Sequence, residues 1–148
     1  MTASATEFLV YESDREFQLW SWHVSHSQMI LRSNPSSDAP LRTEICFKNV
    51  RAASVTSSFP SLRVSAIIEG SEVSAAEAVI GRGLNLVPYT DEVLFRLSGG
   101  SLHGWVLASV VAGREDAESY SSPSMFDGKN SRPNVSEIFP QFPHPRRE

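Results

Sequence analysis

Short runs of alternating hydrophobic and polar residues recur along most of the chain, the spacing of strands whose side chains point to opposite faces in turn. Phe8-Leu9-Val10-Tyr11 is an apolar run followed by the polar Glu12 to Glu16, a strand and then a turn. In residues 17–24, Trp20, Trp22 and Val24 are expected on one face and Phe17 and Leu19 on the other. Such a strand is either buried on both faces at its start or flipped by a bulge. Ser25-His26-Ser27 reads as a turn, and Gln28 to Arg32 alternates again, which makes a hairpin. Ser33 to Pro40 is a loop by its turn residues. From Leu41 to Val50, Thr43, Ile45 and Phe47 face one way and Arg42, Glu44, Cys46 and Lys48 the other. This is the pattern of a half-buried strand, and Asn49 marks a bulge after it. Ser57 to Ser61 turns at Pro60, and Leu62, Val64 and Ala66 alternate once more.

Ser71 to Gly81 is the helix candidate: Ser71 or Ser74 is its cap, Ser74 and Glu77 have capping-box spacing, Val73, Ala76 and Ile80 form one stripe, and Gly81 is the stop. Val93 to Leu97 and Leu102 to Ala112 flank Ser98-Gly99-Gly100-Ser101, the strongest hairpin signal in the chain. The segment Trp105 to Ala112 is apolar on both faces, as a central strand would be. From residue 121 the pattern stops, and five of the nine prolines fall there. These elements predict a mainly β chain: an antiparallel β-sandwich or strongly curved sheet with one short helix. The expected organisation is one β-rich domain over 1–120 and a Pro-rich extended or disordered tail over 121–148. Within that tail Phe139-Pro140 and Phe142-Pro143 are apolar enough to dock in a groove.

With 148 residues the chain fits one domain. Its net charge of -4 argues against a dedicated nucleic-acid binder. Residues 1–120 hold nine basic and fourteen acidic residues, so the acidity belongs to the expected folded body. The lone cysteine excludes an internal disulfide and any multi-cysteine zinc site. No apolar run reaches the length of a membrane helix and the first residues do not read as a signal peptide, so a cytoplasmic location is expected and the Asn134-Val135-Ser136 sequon is read as accidental.

Few residues carry a chemical signature. His23 and His26 are three apart, which on one strand points them to opposite faces, and His103 is remote, so neither metal nor other cofactor is expected. Cys46 reads as an inert thiol, and Gly81-Arg82-Gly83 as a helix stop and turn rather than a dinucleotide loop. The carboxylates cluster as Asp14-Arg15-Glu16, Asp91-Glu92 and Glu115-Asp116, where a negative patch for a basic partner is the better reading than a catalytic pair. Trp20, Trp22 and Trp105 are read first as core, with a binding platform as the alternative.

Residues 19–28, Leu31-Arg32-Ser33 and Ile45 to Val50 resemble a pattern in small uncharacterised bacterial proteins. The Phe-x-x-Val element of Phe47 to Val50 is similar to some β-rich immunity proteins of bacterial toxin systems. The resemblance implies a non-enzymatic inhibitor of a basic toxin and assigns no catalytic residue. The expected function is protein binding, with a basic partner or a homodimer through a sheet edge or the tail. Its candidate contacts are Trp20, Trp22, His23, His26, His103, Asp91, Glu92, Glu115, Asp116, Phe139 and Phe142. The alternatives are a small-ligand site lined by the tryptophans with Arg96 or Arg114, and an enzyme using His23, His103 and Asp116.

Overall fold

The computed structural model describes residues 6–23, 27–86, 91–126 and 134–143. They form two antiparallel sheets packed face to face. The first contains β1 (Glu7–Ser13), β7 (Leu62–Ile67), β8 (Val93–Gly99), β9 (Leu102–Ala108) and β5 (Ala52–Ser54), side by side in that order. The second contains β11 (Ser136–Phe142), β10 (Val110–Asp116), β4 (Arg42–Lys48), β3 (Gln28–Ser33), β2 (Phe17–His23) and β6 (Ser58–Phe59). Between them lie Met29, Leu31, Ile45, Phe47, Val64, Phe95, Leu97, Val106 and Val111, each fully buried. The alternation grouped Ile45 with Phe47, and Leu62 and Ala66 with Val64, correctly, because a residue two places along a strand returns to the same face.

A second apolar cluster sits on the outer side of the first sheet. Helix α1 (Ser71–Ile80) lays Ala76, with Val73 and Ile80, over Ile67, Leu94, Trp105 and Leu107. The stripe and the stop are as expected: Gly81 is left-handed at φ 82° and donates its N–H to the Glu77 carbonyl. The start differs. Gly70 occupies the cap position, neither Ser71 nor Ser74 caps with its side chain, and the Glu77 carboxylate accepts the Leu84 N–H beyond the helix instead.

Three further expectations are corrected. The run Trp105 to Ala112 is not one central strand: β9 ends at Ala108, Ser109 turns the chain, and β10 continues in the other sheet. Trp20 and Trp22 do not share a face. The register of β2 on β3 shifts between Leu19 and Ser21, so Trp22 comes opposite the core residue Met29 while Trp20 lies over Arg32 on the other side. The segment after residue 120 is no loose tail throughout. Strand β11 pairs with β10, and Phe139 and Phe142 pack against the core, Phe142 stacking on Phe8 at 4.9 Å. Its prolines allow this because β11 is an edge strand, where a missing N–H costs no ladder bond.

The largest departure concerns β4. Its second face, read as solvent-facing, is buried: Arg42, Glu44 and Cys46 are each 0% exposed. Residues 118–126 cross over it as a strap. Arg32 pairs with Glu44 and donates to the Tyr120 carbonyl, while Arg42 forms a two-pronged pair with Asp116 and donates to the Ser122 and Pro123 carbonyls. The Glu44 carboxylate accepts from Ser124 Oγ and Met125 N. Arg114 donates to the Met125 carbonyl and lies over the Phe126 ring. Buried charge is tolerated where every prong is bonded in this way.

Candidate functional site

The expected acidic patch does not assemble. Asp116 is buried against Arg42. Burial opposes the Arg42 charge, but its hydrogen bonds to Asp116 and the charges of Asp116, Glu44 and Glu118 outweigh that and hold the guanidinium above its usual value. Glu92 is bridged by Arg82 and, at 2.5 Å, by Arg51. The Arg82 hydrogen bond leads in pulling its carboxyl below the usual range, and the Arg51 charge adds to it. Glu115 is half-buried on β10 between Thr43 and Ser136, and Asp91 is exposed with its carbonyl accepting from Ser109. The four carboxylates of the Asp91-Glu92 and Glu115-Asp116 clusters therefore do four separate things.

The third expected cluster, Asp14-Arg15-Glu16, does line a site, at one end of the sandwich. The turn between β1 and β2 brings Asp14, Arg15 and Glu16 against the loop between β3 and β4, which carries Asn34, Ser36 and Asp38. The cleft between them has a volume of about 600 Å3, with Gln18, Arg32 and Ser33 on its wall. Arg15 ties the two loops together. It donates to Thr43 Oγ1 at 2.7 Å and to the carbonyls of Asn34 and Leu41 at 3.2 and 2.7 Å. The loop is closed on itself by paired Ser36 and Ala39 backbone bonds.

Two features give the cleft its chemistry. The wall carries three carboxylates, Asp14, Glu16 and Asp38, none in a salt bridge among the described residues. Of the wall arginines, Arg32 is neutralised by Glu44 and Arg15 is engaged with neutral oxygens. Asn34 Oδ1 is buried and has no hydrogen-bond partner among the described residues. A buried acceptor left without a donor is costly, of order 1–3 kcal/mol, and is the kind of group a ligand satisfies. Nearby, Tyr11 is raised above its usual value chiefly by burial. Ser13 and Arg15 pull the other way, and the charges of Glu115 and Asp14 add to the rise.

The other sequence candidates are scattered. His103 is exposed on β9, beside a groove of about 540 Å3 lined by Ser54, Ser71, Glu72, Ala75, Gly104 and Trp105. Glu72 there is held by Arg96 at 2.7 Å, and that hydrogen bond, against burial, keeps its carboxyl below the usual range. Arg96 thus holds Glu72 and Glu7 on the wall of a hollow of about 320 Å3 that it shares with Arg63, Ser65, Ser98 and His103, and Arg114 serves the strap. Trp105 is core, as first read, whereas Trp20 and Trp22 are 39% and 43% exposed. His23 is exposed at the end of β2, far in the fold from Asp116 at the end of β10, with β3 and β4 between the two strands. His26 lies outside the described residues, as does His144. Among the described residues no group of three or more His, Cys, Asp or Glu is placed to hold a metal. Among the described residues no helix is long and apolar enough to cross a membrane.

Sequence reading missed Asn34, Ser36 and Asp38 as site residues. Their loop was visible from its turn residues, but that it meets the Asp14-Arg15-Glu16 turn depends on Arg15 reaching across to it. The chain matches no family model, no curated protein sequence and no solved structure.

Proposed function

We propose that the chain is a non-enzymatic binding protein, and that the cleft at the acidic end of the sandwich takes a basic side chain of a protein partner. The observation that carries this is that, among the described residues, Asn34 Oδ1 is without a hydrogen-bond partner in a wall whose three carboxylates are in no salt bridge. A guanidinium brings five N–H donors and no acceptor, so it would satisfy the orphaned oxygen and the carboxylates together. An immunity-type inhibitor of a basic toxin is one role that fits, since charge complementarity mainly speeds encounter and selects the partner.

The test is a titration of the isotopically labelled full chain with a short arginine-rich peptide, followed by NMR. The arginines are replaced by citrulline in a control peptide, which keeps shape and removes charge. The expected result is shifts at the Asn34 side-chain amide and at Ser36 and Asp38, lost with citrulline, reduced by salt and weakened by Asp38→Asn. Equal shifts with both peptides, or none with either, would sink the proposal.

A second reading rests on the groove beside α1, where His103, Glu72 and Trp105 offer a mixed polar and apolar wall suited to a small ligand. Small-molecule fragments that shift His103 and Glu72, with the arginine peptide shifting nothing, would favour it over the first.

A further inference from the structure

Sheet edges expose unpaired N–H and C=O groups, and proteins usually block them. Among the described residues, three of the four sheet edges are blocked or too short. On β11, Pro140 removes a donor, and the Phe8–Phe142 stack and the Tyr11–Phe139 contact join β1 to β11 as a seam. Strand β5 has three residues. The fourth edge is different. β6 covers β2 at Phe17 and Gln18, and Ser57 accepts the Leu19 N–H. From Trp20 to His23 the outer side of β2 has no ladder partner among the described residues.

That free stretch has the composition of an interface. Ser21, Trp22 and His23 pair with β3 in unbroken register, so the strand is regular beyond its bulge. Trp20 and Trp22 flank the edge, one on each side of the sheet, and both remain well exposed. Trp20 is held in place by its stack on the buried Arg32 at 3.9 Å, and Arg32 also fixes the strap next to exposed Tyr120. Tryptophan, tyrosine and arginine are the residues that carry most binding energy at interfaces.

We infer that the Trp20–His23 edge of β2 is where two copies of this chain pair antiparallel about a two-fold axis, joining their six-stranded sheets. The occupant is argued from charge and from the neighbouring strand. Strand β2 carries no Asp, Glu, Lys or Arg, so a two-fold axis places no like charges together, although each chain has a net charge of -4. β6 stops an incoming strand at Gln18, so pairing is limited to a short closed contact and cannot propagate. A ladder this short, with two partly exposed tryptophans per copy, falls below the roughly 1,200 Å2 of a standard stable interface. The dimer is therefore weak and concentration-dependent. The inference concerns a surface separate from the acidic cleft and stands independently of it.

The test is analytical ultracentrifugation of the full chain, free of any ligand, over a concentration series. The mass should rise from 16.3 kDa towards twice that value, and Trp22→Glu should abolish the rise by bringing two carboxylates into one short ladder. Val79→Glu, on the exposed side of α1, should leave the rise intact. Because Trp22→Glu could unfold the edge, hydrogen exchange of the unaltered protein supplies a second measurement. Amides within residues 20–23 should exchange more slowly as concentration rises. A mass constant at all concentrations, a rise that survives Trp22→Glu, or exchange at residues 20–23 independent of concentration would each overturn the inference.

Discussion

Glu44 is the residue on which the buried face of the second sheet depends. One of its oxygens accepts from Arg32 and the other from Ser124 Oγ and Met125 N, with the side chain fully buried. Glutamine has nearly the same shape but no charge, and would leave the Arg32 guanidinium buried without its counter-ion. Breaking one partner of a buried pair typically costs about 3–5 kcal/mol, because the other charge stays behind uncompensated. Glu44→Gln is expected to lower stability by that order in urea denaturation, whereas Asp38→Asn, at the exposed rim of the cleft, should change it little. A fall of similar size in both would show that the strap contacts carry no special weight. Alternation placed Glu44 on the face opposite Ile45 correctly; it said which residues share a face, and could not say what covers that face.

Strand β11 is attached through a close contact that one atom would break. At Gly113 on β10 an added Cβ would lie 2.3 Å from Phe139 Cε1 and 2.7 Å from Ile138 Cγ1. Gly113→Ala must push β11 away, and overpacking of this kind costs roughly 1–3 kcal/mol. The expected outcome is a lower melting temperature, with faster amide exchange in residues 136–142 than in β8 and β9. Truncation after residue 120 should be more severe still, because it removes both β11 and most of the strap over Arg32, Arg42 and Glu44. A 1–120 fragment that melts like the full chain would refute the packing described for both. The β8–β9 hairpin was legible because Gly99-Gly100 interrupts two alternating runs and Gly100 takes φ 59° at the turn. The strap was not, since it is held largely by its backbone carbonyls, which every residue has. The crossing from β9 to β10 was hidden because Ser109 alone interrupts an otherwise apolar run. The cleft shared that fate: its two loops were readable, and their meeting was not.

At the scale of the whole molecule, ion pairs tie the helix and its following loop to the first sheet. Arg96 on β8 joins Glu72 on α1 to Glu7 on β1, and Glu92 gathers Arg82 and Arg51. The hydrogen bond from Arg96 leads in lowering Glu72, and that from Arg82 in lowering Glu92, while burial opposes both. A carboxyl whose folded pKa is lowered adds stability that is fully present above its unfolded value, about 4.3 for glutamate. That stability is lost as pH falls through the lower folded value. Acid first relieves repulsion in a chain with a net charge of -4 and then, below its isoelectric point near 5.6, builds up net positive charge, so the melting temperature of one protein mixes this general effect with the local one. The difference between the native chain and Arg96→Met separates them, because the general charge effect is common to both. That difference should be steady from neutral pH down to about 4.3 and should narrow below it, as Glu72 protonates and gives up its pair with Arg96. A gap that persists unchanged into strong acid would assign the role of Arg96 to packing of its aliphatic stem against α1 rather than to its charge.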